Sequence, residues 1–103
     1  MPNFLFAYYG GKPLGSAEEG AKLRAKWQAW VAGLGAAMIN PGTFLGKSKT
    51  VSDHGVADGG GGTSPLMGFS VIEANDIDAV LEIAKRCPHL AIGTIEVAEM
   101  KQM

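Results

Sequence analysis

The chain has 103 residues, of which 47% are hydrophobic and 18% are charged, and its formal net charge is −1. These values are typical of one globular domain, so we expect residues 1–103 to form a single domain. The 9 basic and 10 acidic residues form no block of like charge. Binding to nucleic acid or to a membrane surface needs a concentrated basic face, so neither partner is expected.

The compartment is predicted from cysteine usage and from the lack of an apolar segment. Cys87 is the single cysteine, so no disulfide can form within the chain. No stretch approaches the roughly 20 apolar residues that a membrane span needs. Both features favour a cytoplasmic protein.

The first predicted element is a strand. Residues 3–9, NFLFAYY, are few and rich in aromatic side chains. In a strand, successive side chains point to opposite faces. One face would carry Phe4, Phe6 and Tyr8, and the other would carry Leu5, Ala7 and Tyr9. Because both faces are apolar, we expect neither to be fully exposed to water.

A helix is predicted to begin after Ser16. Ser16 and Glu19 have the spacing of a capping box, in which the serine oxygen accepts a hydrogen bond from the Glu19 amide. Gly35 can end the helix. The core-facing stripe between these ends consists of Leu23, Trp27, Trp30, Val31 and Leu34.

The middle of the chain predicts short extended segments and a glycine-rich connection. Residues 36–40, AAMIN, predict a brief strand, and residues 43–52 predict an extended segment. A turn is predicted at residues 53–55, Asp-His-Gly. Residues 57–65 contain four consecutive glycines and predict a loop.

The second half repeats the order of strand, helix and strand. Residues 66–74 predict a strand, Asn75 or Asp76 would cap a helix that ends before Pro88, and residues 94–100 predict the last strand. The whole order is the ferredoxin-like βαββαβ pattern, an α+β fold with an antiparallel sheet. Two helices cover one face of such a sheet, so we expect the second apolar face to pack against another copy of the chain in a homodimer.

The order and spacing of these segments resemble the YCII-related family over nearly the whole chain. The matching stretches are FLFAYYGG, LGAAMINPG, SKTVSDHGVADGG, GFSVIEANDIDAVLEIAKRCP and GTIEVAEM. The resemblance implies a dimeric α/β barrel with a cleft between the sheet and neighbouring loops. It also implies a possible His–Asp catalytic pair, since such a pair has been proposed in some members, a few of which belong to degradation pathways for aromatic compounds.

The chain departs from the family where a catalytic histidine would lie. The predicted first helix contains no histidine, and Ile92 stands where other members place one. Many family members carry an Asp-Gly-Pro-Phe motif before the third strand, and Asp58 falls on its aspartate. Only the first half of the motif is present in this chain. The resemblance therefore implies the fold and the dimer more strongly than the mechanism.

His54 and Asp58 are the predicted catalytic residues. His54 lies between Asp53 and Asp58 in the sequence, and a carboxylate can orient an imidazole and raise its basicity. The alternative is a solvent-exposed turn, because Asp-His-Gly is also common turn chemistry.

Tyr8, Lys47 and Ser64 are the predicted ligand contacts. The phenol of Tyr8 can hold a polar group of a ligand, or it can pack in the core with its hydroxyl satisfied elsewhere. Lys47 lies on an edge that can attract an anion, or that protects the strand from aggregation. Ser64 follows the glycines at residues 60–62, which form either a lid or only a connection. They are not a Walker loop, because no lysine follows them and a strand comes next.

Cys87 and His89 do not predict a metal site, because structural zinc takes four ligands and no second pair is present. Cys87 is predicted to be a partly buried small apolar residue. His89 is predicted to cap a helix end or to lie on the surface. We expect neither a metal nor a cofactor.

The features together predict a cofactor-independent enzyme that acts in a cleft of a homodimer. The predicted reaction is an isomerisation, an elimination such as dehydrochlorination, or a lactone hydrolysis on a small aromatic or carbonyl acid. His54 or Asp58 would move the proton, and Tyr8 would orient the substrate. The alternatives are a non-catalytic protein that binds a small ligand, and an interaction module.

Overall fold

A computed structural model of the chain describes residues 2–10, 16–43, 45, 49–58 and 66–101. The described residues form six strands and two α-helices, and two 3₁₀ helices occupy Gly35–Ala37 and Pro88–Ala91. The elements are β1 (Asn3–Gly10), α1 (Ala17–Leu34), β2 (Met38–Asn40), β3 (Lys49–Ser52), β4 (Gly55–Asp58), β5 (Leu66–Glu73), α2 (Ile77–Lys85) and β6 (Gly93–Met100).

Four strands form an antiparallel sheet in the order β2-β5-β1-β6. In this sheet β1 pairs with β5 on one side and with β6 on the other. The strands β3 and β4 form a separate two-stranded sheet. This architecture is the predicted α+β, ferredoxin-like fold, which is thereby confirmed.

The face assignment predicted for β1 is confirmed by burial. Phe4 and Phe6 have no exposed surface and Tyr8 is 5% exposed, whereas the alternate residues of β1 are half-buried. The three aromatic side chains pack against the helices, together with Ile72 and Val80. Burial of one such side chain contributes about 1.5–3 kcal/mol, so this layer is a main source of the fold's stability.

Both helices begin as the sequence predicts. The Ser16 hydroxyl accepts a hydrogen bond from the Glu19 amide at 3.2 Å, and the Asp76 carboxylate accepts one from the Ala79 amide at 2.8 Å. Gly35 has a φ of +53°, a conformation that favours glycine. Neither helix in the described part of the chain has the length and apolar character that a membrane crossing would need.

Two elements differ from their predictions. Residues 35–37 form a 3₁₀ helix, so the predicted strand at residues 36–40 is reduced to β2. The predicted loop at residues 57–65 begins as a strand, because β4 runs to Asp58 and pairs with β3 around the predicted turn. Backbone pairing across the turn satisfies groups that a loop would leave to water.

The tryptophans of α1 join the two helices and the sheet. Trp30 Nε1 donates a hydrogen bond to the Ile83 carbonyl of α2 at 3.3 Å. The Trp27 and Trp30 rings meet edge to face at 5.3 Å, and both pack against the buried core. Their predicted role in packing is confirmed, although Trp27 also borders the cavity described below.

In the described part of the chain, both helices pack on the Phe4 side of the sheet and neither packs on the other face. The register places Leu5 beside Val71 and Ala98, and Ala7 beside Phe69 and Glu96. Ile39 of β2 is 48% exposed at the sheet edge. We call this surface, made of the alternate residues of β1 with their neighbours on β2, β5 and β6, the open face.

Candidate functional site

A cavity of about 630 Å³ lies between α1, the sheet and the 3₁₀ helix Pro88–Ala91. Its size is within the range of small-molecule sites. The side of α1 that faces it contributes Leu23, Trp27 and Val31, and the lining is mainly apolar. Two buried residues with polar side-chain atoms, Tyr8 and His89, also border it.

Tyr8 begins a short hydrogen-bonded chain beside the cavity. Its hydroxyl donates to Ser70 Oγ at 2.9 Å, and the Ser70 hydroxyl donates to the Pro41 carbonyl at 2.9 Å. Burial raises the pKa of the Tyr8 phenol well above its usual value, although the hydrogen bond with Ser70 opposes this shift. The phenol therefore stays protonated, and its oxygen keeps lone pairs that can accept a hydrogen bond from a ligand.

His89 is the second buried polar residue, with 3% of its surface exposed. Its Nε2 lies 2.9 Å from the carbonyl oxygen of Tyr9. Because a carbonyl only accepts, Nε2 donates a proton in this bond, and Nδ1 is the ring nitrogen that can act as a base. The rings of His89 and Tyr8 are 5.1 Å apart. The expectation that His89 caps a helix end or lies on the surface is therefore wrong.

Glycines make the position of His89 possible. A Cβ at Gly93 would clash with the Tyr9 carbonyl oxygen and would lie 2.7 Å from His89 Nε2. A Cβ at Gly10 would lie 2.9 Å from Gly93 Cα. The close approach of β1 and β6 at this end of the sheet thus requires glycine on both strands.

Cys87 is buried next to the Tyr8 hydroxyl, with 3% of its surface exposed. Burial raises the pKa of its thiol to about 11, although a hydrogen bond from the His89 backbone and the contact with Tyr8 oppose the shift. A neutral thiol is a poor nucleophile. Cys87 is predicted to be a partly buried small apolar residue, and the structure buries it almost completely in the core.

The rim of the cavity carries two exposed polar side chains from α1, Arg24 and Gln28. They are one helical turn apart and therefore lie on the same side of the helix. Polar groups thus occupy both the exposed rim and the buried end of a mainly apolar cavity.

His54 lies at the turn of the β3–β4 hairpin. Its Nε2 is 3.6 Å from Asp53 Oδ1, and the two side chains are 93% and 91% exposed. His54 is not among the described residues that line the cavity. Asp58 ends β4, where its backbone pairs with Lys49. The structure thus brings His54 to Asp53, and the catalytic role of His54 and Asp58 stays a prediction.

Of the three predicted ligand contacts, Tyr8 borders the cavity. Lys47, Ser64 and residues 60–62 lie outside the described residues. Among the residues that are described, no three His, Cys, Asp or Glu side chains are grouped so that they could hold a metal ion.

Comparisons with known proteins identify the fold and the family of the chain. No curated protein sequence matches the chain. Among solved structures, it is similar to a 5-chloro-2-hydroxyhydroquinone dehydrochlorinase from Burkholderia phenoliruptrix AC1100 in complex with 2,5-dihydroxybenzoquinone. The two share 20% identity and a TM-score of 0.55 over 98% of this chain and 95% of that one, a likeness of fold. The family model of the YCII-related domain matches residues 1–103, so the chain belongs to the YCII-related family.

Proposed function

We propose that this YCII-related protein is a cofactor-independent enzyme that moves a proton on a small, mainly apolar compound bound in the cavity. The observation that carries the proposal is the histidine at the buried end. His89 borders the cavity, and its bond to the Tyr9 carbonyl fixes the tautomer in which Nδ1 is a base. A base held in one orientation beside a small-molecule cavity is the arrangement that general acid–base catalysis needs.

In this proposal His89 removes a proton either from a ring hydroxyl or from a carbon next to a carbonyl. Return of the proton at another atom gives an isomerisation, and loss of a leaving group gives an elimination. Activation of a water molecule by the same base gives lactone hydrolysis. Tyr8 orients the substrate, because its hydroxyl proton is engaged by Ser70 and its oxygen can accept from a substrate hydroxyl.

The fold comparison supports elimination as one of these reactions. A protein with the same fold is a dehydrochlorinase, and its structure holds a dihydroxybenzoquinone. The turnover assay described below distinguishes among the three reactions.

His54 and Asp58 are the second candidates for proton transfer. Asp53 lies beside the His54 ring and can orient it, but the hairpin turn is exposed. His54 does not line the cavity among the described residues, so a role there requires the hairpin of the same chain or of another copy to approach it. We propose a homodimer formed through the open face, because Leu5 and Val71 are apolar residues on a face against which neither described helix packs.

The alternative function is non-catalytic binding of a small ligand. It is favoured by the state of two buried groups near the cavity, since burial raises the pKa of Tyr8 and of Cys87 and keeps both uncharged. A carrier or sensor needs an apolar cavity and no base. It predicts saturable binding, no product, and unchanged ligand release when His89 is replaced.

The test begins with a thermal-shift panel of small aromatic acids, lactones, chlorinated hydroquinones and phosphorylated metabolites. A ligand at one hundred times its Kd adds about 2.7 kcal/mol, which raises the Tm of a domain of this size by roughly 10 °C. Each compound that binds is then assayed for turnover with the parent, His89→Gln and His54→Gln proteins.

The proposal predicts that His89→Gln lowers kcat by about 10²-fold or more, because glutamine can donate to the Tyr9 carbonyl but offers no base. His54→Gln tests the second candidate, and the proposal predicts that it keeps kcat within a few fold. Turnover that survives in His89→Gln and disappears in His54→Gln would transfer the role to the hairpin. Binding without turnover in the parent would establish the non-catalytic alternative.

A further inference from the structure

We infer that the ligand of this cavity is a small aromatic anion, a carboxylate or an equally acidic group on a ring, held at the rim by Arg24. The inference deepens the proposed function and rests on it for the cavity, but not for the chemistry. It adds the class of the ligand and the direction in which the ligand enters.

The charge of the lining supports an anion. Arg24 is the one permanently charged side chain among the described residues that line the cavity, and no described Asp or Glu lines it. The carboxylates of α1 that lie nearest in sequence, Glu18 and Glu19, are not among the lining residues, and Glu18 pairs with Lys22. Arg24 makes no ion pair in the part of the chain that the structure describes. A guanidinium left unpaired beside an apolar cavity is available to a carboxylate.

The residues one turn from Arg24 on α1 add a hydrogen-bond donor and no negative charge. Gln28 lies one helical turn further along α1, and its amide can donate to the same anion. Gly20, one turn earlier, is buried and also borders the cavity, and as a glycine it adds no side chain to this stripe of α1. Residues 20, 24 and 28 therefore form one stripe of α1 with a cation and an amide at its exposed part.

The difference in exposure sets the orientation of the ligand. Arg24 and Gln28 are exposed, whereas His89 and Tyr8 are 3% and 5% exposed. A charged group is best placed at the solvated rim, where desolvation costs least, and the apolar body is best placed deeper. The carbon that reacts then lies toward His89, and the acid lies toward Arg24.

The aromatic side chains at the buried end of the cavity favour a ligand that contains an aromatic ring. Trp27 borders the cavity and meets Tyr8 edge to face at 5.2 Å, and Tyr8 in turn lies beside the His89 ring. Aromatic side chains prefer ring partners in edge-to-face or offset geometry. A flat aromatic body therefore fits better between these groups than a branched aliphatic one.

The test compares acids with neutral alcohols of the same ring. The probes are benzoate and naphthoate against benzyl alcohol and naphthalenemethanol, with binding followed by isothermal titration calorimetry and by quenching of Trp27 fluorescence in a Trp30→Phe background. The variants are Arg24→Gln, Arg24→Lys and Arg86→Gln. Arg86 is exposed at the end of α2 and does not line the cavity, so its loss is the matched change in net charge.

We expect each acid to bind at least about tenfold more tightly than its alcohol, the effect of one charge-assisted hydrogen bond. Arg24→Gln should remove this preference without weakening the alcohols, Arg24→Lys should keep part of it, and Arg86→Gln should keep all of it. Equal affinity for acid and alcohol in the parent, or a preference that survives in Arg24→Gln, overturns the inference, as does a failure of both acids to bind. These outcomes are separate from the His89→Gln assay, because binding preference does not depend on a base.

Discussion

The imidazole of His89 is held against the first strand, with its Nε2 2.9 Å from the carbonyl oxygen of Tyr9, a residue 80 positions earlier in the chain. The contact exists because β6 begins beside the end of β1, where Gly10 and Gly93 face each other. The orientation of the proposed base therefore depends on a backbone approach that has no room for side chains.

The first prediction concerns the close backbone approach of β1 and β6 at Gly93. Gly93→Ala places a Cβ against the Tyr9 carbonyl and against His89 Nε2, so β6 or the ring must move. We expect a loss of about 2 kcal/mol or more in the free energy of unfolding, measured by urea denaturation, and a loss of ligand-dependent stabilisation. Gly33→Ala is the control, because nothing lies within 4 Å of a Cβ there. It should stabilise the helix by about 0.5–1 kcal/mol. Equal effects of the two substitutions would contradict the account of Gly93.

The second prediction concerns the hydrogen bonds from Tyr8 to Ser70 and from Ser70 to Pro41. Ser70→Ala leaves the buried Tyr8 hydroxyl without its acceptor and should cost about 1–3 kcal/mol. Tyr8→Phe removes the donor and should cost about 1 kcal/mol. Because the two groups share one bond, the double variant should lose less stability than the sum of the single variants. Additive losses in a denaturation cycle would show that the bond contributes nothing.

The third prediction concerns pH and the Cys87 thiol. Its pKa is about 11 in the folded protein against an ordinary value of 9.0, so the folded state keeps the proton that the unfolded state loses. The stabilisation is present below pH 9 and is lost as the pH rises from 9 to 11. The difference in unfolding free energy between the parent and Cys87→Ala should therefore fall across this window. A difference that stays constant up to pH 11 would contradict the burial of the thiol.

The fourth prediction concerns the open face. Val71 lies on it beside Leu5, so Val71→Lys should break the proposed dimer by placing a charge in the interface. Light scattering after gel filtration should give twice the chain mass of 10.7 kDa for the parent and the single mass for the variant. Ala32→Lys, on the exposed side of α1, is the control and should remain a dimer. A parent protein that runs as a monomer would end the homodimer proposal.

The predictions that the structure confirms came from local sequence patterns. The alternation in β1 and the caps at Ser16 and Asp76 depend on residues a few positions apart, and their physics is the same in any fold. The strand β4 was missed because its four residues run into the glycines that predict a loop. In a short hairpin, pairing across the turn outweighs the weak preference of each residue.

The cavity was harder to predict because distant residues form it. Tyr8 and Ser70 are 62 positions apart, and His89 meets Tyr9 across 80. His89 follows Pro88 after the end of α2, where the sequence predicts a cap or a surface position, and its burial depends on the pairing of β1 with β6. The one local hint is Gly93 at the start of a strand, since glycine there indicates a close backbone approach.

The most direct test of the central claim is the imidazole ¹H–¹⁵N spectrum of the protein, recorded with and without each compound of the panel. The chain has two histidines, so His54→Gln assigns both. We expect His89 to be protonated on Nε2 and its Nδ1 resonance to move when a ligand binds, while the resonances of His54 stay in place. Movement of His54 alone, or a His89 resonance that no compound moves, would contradict this expectation.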